Sequence, residues 1–158
     1  MPMINKVEFI SESRASGISS GTAFQGLISI TDPTGSDAVL FEEAWGDILR
    51  VRFHDVDSEY RGESGYHSIT EEQADAIIAW LREHEDEFKK IVVHCWAGIS
   101  RSAAVAKFIA EVYDLQFPES YSLYNRFVYS TLRKRFHGYD PDKDSAFRNE
   151  EYDGDRAD

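Results

Sequence analysis

Cysteine occurs once in the 158 residues, at position 95, so no internal disulfide can form. Such usage suits a reducing compartment. One thiol also falls short of a zinc site unless histidines supply the other ligands. The five histidines (His54, His67, His84, His94 and His137) show no metal-ligand spacing, so structural zinc is not expected. Neither a metal nor any other cofactor is called for. Long apolar runs are missing as well. Nothing approaches the ~18 residues of a membrane span, and the stretch MPMINKVEFI lacks the basic-then-apolar order of a signal peptide. The protein is therefore expected to be soluble, unexported and cytoplasmic. Positive charge is scarce: 17 lysines and arginines face 29 acids, for a formal net charge of −12. That balance argues against nucleic acid or an anionic membrane as partner, because both need a basic face.

What is present fits one folded domain. The apolar fraction of 42% and aromatic fraction of 13% suit a globule with a substantial core. Residues 1–138 are read as that domain. Residues 139–158, with eight acidic and three basic side chains, are read as an acidic, chiefly solvated tail.

Four stretches read as strands: Val7–Ser11, Gly26–Thr31, Ile48–Phe53 and Ile91–His94. Asp32, Pro33 and Gly35 stop the second. Thr70 with Gln73 forms a capping-box pattern, and Ala74, Ile77, Ile78 and Leu81 recur at helical spacing, which predicts a helix over 71–88. A second helix is predicted from Ser102. A third is predicted from Pro118 to about Gly138, with Leu123, Phe127, Val128 and Leu132 turned inward. Strands alternating with helices predict an α/β fold with a central, mainly parallel sheet flanked by helices. In such sheets ligands bind at the carboxyl ends of the strands, and two informative segments follow strands there.

One of them is His94-Cys95-Trp96-Ala97-Gly98-Ile99-Ser100-Arg101-Ser102, between an apolar strand and a strong helix. The backbone N–H groups of residues 95–101 can curl around one centre. The helix N-terminus behind them adds unpaired donors and partial positive charge. Gly98 allows the sharp turn. Such a nest holds a dianion without lysine, and the planar fork of Arg101 completes it. The same field favours the Cys95 thiolate, placing a nucleophile against bound phosphorus. A lone buried cysteine after a strand is commonly only core. The surrounding loop and Arg101 argue otherwise here.

HCWAGISRS fits the pattern H-C-x5-R-[ST] and resembles the protein tyrosine phosphatase superfamily. AGISRS is similar to its dual-specificity branch, as are LRVRFHDVD upstream and YNRFVYSTL downstream, which look like small bacterial members. The resemblance implies a phosphatase-type phosphate loop and a phosphocysteine intermediate on Cys95. It implies phosphate binding by Trp96, Ala97, Gly98, Ile99, Ser100 and Arg101. His94 would support the loop. Ser102, with Ser100 as the second candidate, would supply a hydroxyl to the sulfur and help the intermediate break down, with a plain N-cap of the helix as the rival role for Ser102.

The family also takes a general acid from an aspartate on a loop about thirty to forty residues before the cysteine. Asp55 and Asp57 both qualify, and Asp55 is favoured for its place directly after the strand. Asp32 and Asp47 read as turn residues, Arg50 and Arg52 as solvated or salt-bridged. Asn125 reads as a structural hydrogen-bonding residue in a helix. The glycine-bearing loop Ser58–His67 suits closure over a substrate. Tyr66, Trp96 and Tyr124 are candidates for the pocket rim, with ordinary packing the weightier reading of each.

The resemblance implies a phosphorylated protein or small phosphate monoester as substrate, with phosphotyrosine and phosphoserine or phosphothreonine side chains both admitted. Members of the resembling family that hydrolyse phosphoinositides tend to carry lysines in this loop, and their absence from residues 95–101 weighs against that substrate class. The net charge weighs against an RNA 5′-phosphate. Sulfur transfer and arsenate reduction fit a one-cysteine chain poorly, and a non-catalytic phosphoprotein-binding module remains as the alternative from another class.

Overall fold

The structure, a computed structural model, describes residues 1–137. The acidic tail from residue 139 lies outside the described residues. Branched apolar residues gather in four short stretches, and each becomes a strand: β1 (Lys6–Ser11), β2 (Gln25–Thr31), β3 (Asp47–Arg52) and β4 (Lys90–Cys95). Their bounds sit within one residue of those expected. They pair in the order β1-β4-β2-β3, parallel throughout. The fold is α/β with an all-parallel sheet flanked by helices.

The two central strands are buried on both faces, which is why Ile91-Val92-Val93 needs no polar alternation. Ile28, Ile30, Val51, Ile91 and Val93 face a large core shared with three helices. On the opposite face Leu27 and Val92 meet a smaller cluster containing Ile10, Ala15, Ala44 and Trp45. The helices are α1 (Glu12–Ser16), α2 (Glu71–His84), α3 (Arg101–Tyr113) and α4 (Arg126–His137). Helix α3 lies against β1 and β4, and α4 packs on α2 and α3. No helix among the described residues is long and apolar enough to cross a membrane.

Helix α2 begins where its capping box lies: Thr70 Oγ1 accepts the Gln73 N–H, and Gln73 Oε1 accepts the Thr70 N–H, both at 3.0 Å. It stops at His84 rather than Phe88. The N–H groups of Glu87 and Phe88 both return to the His84 carbonyl, and the Phe88 ring folds back onto Trp80 and His84. The five-residue α1 was not expected; Ser11 caps it by accepting the Arg14 N–H.

The third predicted helix needs the larger correction. It starts at Arg126, not Pro118. Pro118 instead opens a turn whose carbonyl accepts the Tyr121 N–H, and the cap is supplied by Asn125, whose Oδ1 accepts the Val128 N–H at 2.9 Å. Leu123 therefore precedes the helix and stands 63% exposed, while Val128 and Leu132 are fully buried as expected.

Because every strand runs the same way, Ser11, Thr31, Arg52 and Cys95 all end at one edge. Asp32, Asp55 and the turn 96–100 gather there.

Candidate active site

The turn from β4 into α3 is shaped by its neighbours. Gly98 has φ +72°, and a Cβ there would stand 2.3 Å from the Ser11 nitrogen and 2.4 Å from the Ile10 carbonyl carbon. Only glycine lets the turn sit directly on the end of β1. The Trp96 carbonyl accepts the Glu12 N–H at 3.2 Å, and Ile99 accepts the Tyr121 hydroxyl at 2.5 Å. The Ser100 carbonyl accepts the N–H groups of both Ala104 and Asn125. The backbone is braced along its length, while the Trp96, Ala97 and Ile99 side chains lie exposed.

Cys95 is 2% exposed at the foot of this turn. Its thiol donates to Ser102 Oγ at 3.2 Å. Burial pushes the thiol pKa up. Hydrogen bonds from the Ser102 side chain and from the Ser102 and Gly98 N–H groups, together with the Arg101 charge, outweigh it and hold the thiol below its ordinary value. Ser102 stands inside the first turn of α3, and the cap position belongs to Ser100, so the capping role weighed for Ser102 does not apply.

His94 is fully buried. Its Nδ1 faces the Cys95 carbonyl at 3.5 Å and its Nε2 lies 2.6 Å from Ser29 Oγ. A carbonyl only accepts, so Nδ1 carries the proton and Nε2 accepts from the Ser29 hydroxyl. Burial lowers its pKa from 6.5 to about 4. The imidazole is therefore neutral and tethers β4 to β2.

Arg101 is 5% exposed. Its Nη1 donates to Asp32 Oδ1 at 2.8 Å and to the Phe53 carbonyl at 2.6 Å, whereas its buried Nε–H meets no partner among the described residues. Asp32 is thus more than a turn residue: it anchors the guanidinium from the end of β2. Asp47 also does more than turn the chain, accepting from Trp80 Nε1 at 2.8 Å and pairing with His84 Nε2 at 3.0 Å. Arg52 pairs with Asp37 at 2.6 Å, as a salt-bridged surface residue would.

Asp55 follows β3 and leans onto the turn. Its Oδ1 accepts from Ser100 Oγ at 2.8 Å and from Asn125 Nδ2 at 2.7 Å. Asp57 is exposed and bonds to no described residue, although it lines the same cleft of about 480 Å³ with Val56, Tyr60, Tyr66, Tyr124 and Arg126. Of the rim candidates, Tyr66 is 48% and Trp96 72% exposed, and Tyr124 carries the Arg126 guanidinium on its ring and hydroxyl. The stretch 58–67 is exposed for most of its length yet laced across by Gly62 N–H to the Tyr66 carbonyl and by reciprocal bonds between Tyr60 and Ser68. It is a cross-braced loop rather than an open flap.

The structure brings Cys95, Ser102, Arg101, Ser100 and Asp55 together, leaves Asp57 at the cleft edge, and adds Asp32, Tyr121 and Asn125. Among the described residues no group of three or more histidine, cysteine, aspartate or glutamate side chains is placed to hold a metal ion. No protein-family model matches the chain, and no curated protein matches it in sequence.

Proposed function

We propose that this protein is a cysteine-dependent phosphate monoester hydrolase, acting on phosphotyrosine and on phosphoserine or phosphothreonine side chains. The observation that carries the reading is the pairing of two groups at one turn. A thiol whose pKa is lowered by hydrogen bonds that the Ser102 hydroxyl and the N–H groups of Ser102 and Gly98 give to its thiolate stands beside a buried guanidinium whose Nε–H has no partner among the described residues.

In this reading Arg101 and the N–H groups of the turn bind the phosphoryl oxygens, where the transition state carries its charge. The Cys95 thiolate attacks phosphorus in line. The S–P bond forms as the ester P–O bond breaks, and protonated Asp55 gives its proton to the departing oxygen. Asp55, now a carboxylate, takes a proton from water, whose oxygen attacks phosphorus. The P–S bond breaks, inorganic phosphate leaves, and the Ser102 hydroxyl donates to the recovered thiolate. Asp55 is preferred to Asp57 because its carboxylate is bonded to Ser100 of the turn itself. Neutral, internally bonded His94 transfers no proton.

Hydrolysis of p-nitrophenyl phosphate by the wild type and by Cys95→Ser tests this directly. The wild type should turn over and the variant should lose all measurable activity. Activity retained by Cys95→Ser removes the nucleophile, and an inactive wild type that still binds orthovanadate favours a phosphate-binding module.

A further inference from the structure

We infer that Asn125 is the positioning residue that sets the proton-donating carboxylate against the reactive turn; this rests on the reading of Asp55 as the acid. Asn125 is 6% exposed, and its amide is fully committed. Its two Nδ2 hydrogens go to Asp55 Oδ1 at 2.7 Å and the Val56 carbonyl at 2.9 Å, and its Oδ1 accepts the Val128 N–H at 2.9 Å. Exchanging oxygen and nitrogen would turn all three contacts repulsive, so this orientation is the one the surroundings permit. Its own N–H donates to the Ser100 carbonyl at 3.0 Å.

One residue therefore joins the start of α4 and the loop after β3 through its side chain and the turn before α3 through its backbone. That junction matters because Asp55 sits on an exposed loop with no regular element of its own to fix it. Ser100 Oγ and Asn125 Nδ2 both address Oδ1, which leaves Oδ2 as the oxygen that carries and delivers the proton. A residue that merely held the fold together would be satisfied by the helix cap and the Val56 carbonyl. The bond to the carboxylate ties it to one chemical step, protonation of the leaving group.

The test is a series of aryl phosphates of rising leaving-group basicity, from 2,4-dinitrophenyl to phenyl phosphate, measured as kcat/KM. Asn125→Ser keeps an oxygen that caps α4 but cannot reach Asp55. It should lower phenyl phosphate turnover about tenfold or more, within the range a positioned acid contributes. Turnover of 2,4-dinitrophenyl phosphate should stay within about twofold, because that leaving group departs unprotonated. Alkylation of Cys95 by iodoacetate should keep its pH profile. Asn125→Thr, which likewise keeps a capping oxygen but has no donor that reaches Asp55, should show the same bias and serves if the serine variant folds poorly. A uniform loss across the series, or full activity on phenyl phosphate, overturns the inference. Asp55→Asn in the same series separates the two layers. If it is flat, the acid reading falls and this inference with it; if it is steep while both Asn125 variants are flat, only the positioning role falls.

Discussion

At the residue scale, His94 shows how a titratable group is recruited for its neutral form. Its imidazole has a carbonyl on one nitrogen and a serine hydroxyl on the other, with no solvent. A proton added to Nε2 would place a positive charge where burial keeps water from solvating it, which is costly even though the Ser29 hydroxyl can turn to accept. The folded pKa of about 4 lies below the ordinary 6.5, so the unfolded chain binds its proton first on acidification. Stability contributed by His94 is complete above pH 6.5 and is lost as the pH falls toward 4, by up to about 3 kcal/mol. Urea unfolding at pH 7.5 and 5 should show this decline, and His94→Gln should flatten it. An equal decline in the variant would place the acid sensitivity elsewhere. The lone cysteine and the arginine six positions on were legible in sequence because both lie in one short motif. Asp32 was not, since its partner Arg101 is far along the chain and only the parallel pairing of β2 with β4 brings the two ends together.

At the scale of elements, the strands were readable because burial on one or both faces leaves a periodic or continuous apolar signature. The start of α4 was not. Proline at a first helical position is a permissive signal, and the chain instead uses the segment 118–125 to brace the turn through the Tyr121 hydroxyl and the Asn125 amide. The cap at Asn125 is an ordinary one, obscured in sequence by the stronger proline. The seat of the turn on β1 gives a prediction at this scale. Gly98→Ala adds a methyl that meets backbone atoms at 2.3–2.7 Å in a positive-φ conformation, so the turn must lift away from Ser11. The expected cost is about 1–3 kcal/mol in urea unfolding, with roughly a 10²-fold fall in kcat/KM for p-nitrophenyl phosphate from misplaced donors. A variant of wild-type activity would mean that the position of the turn on β1 does not matter to the chemistry.

At the scale of the whole molecule, charge and sheet polarity set the terms on which a substrate approaches. With a formal net charge of −12, the protein repels acidic phosphopeptides at long range. Raising ionic strength from about 0.01 to 0.15 M shortens the screening length from roughly 30 to 8 Å. Hydrolysis of a phosphopeptide flanked by acidic residues should therefore quicken with salt, and that of a lysine-flanked peptide should slow. Identical salt responses would show that the local field of the turn, not the overall charge, governs encounter. The parallel sheet also separates two ends of the molecule by the length of its strands. The amino-terminal residues attach at the far end, where Met3 and Asn5 donate to the Glu85 and Lys89 carbonyls. A bead, chip or fluorescent fusion joined through residue 1 would therefore face away from Cys95, and an immobilised form should present its reactive rim outward without a spacer.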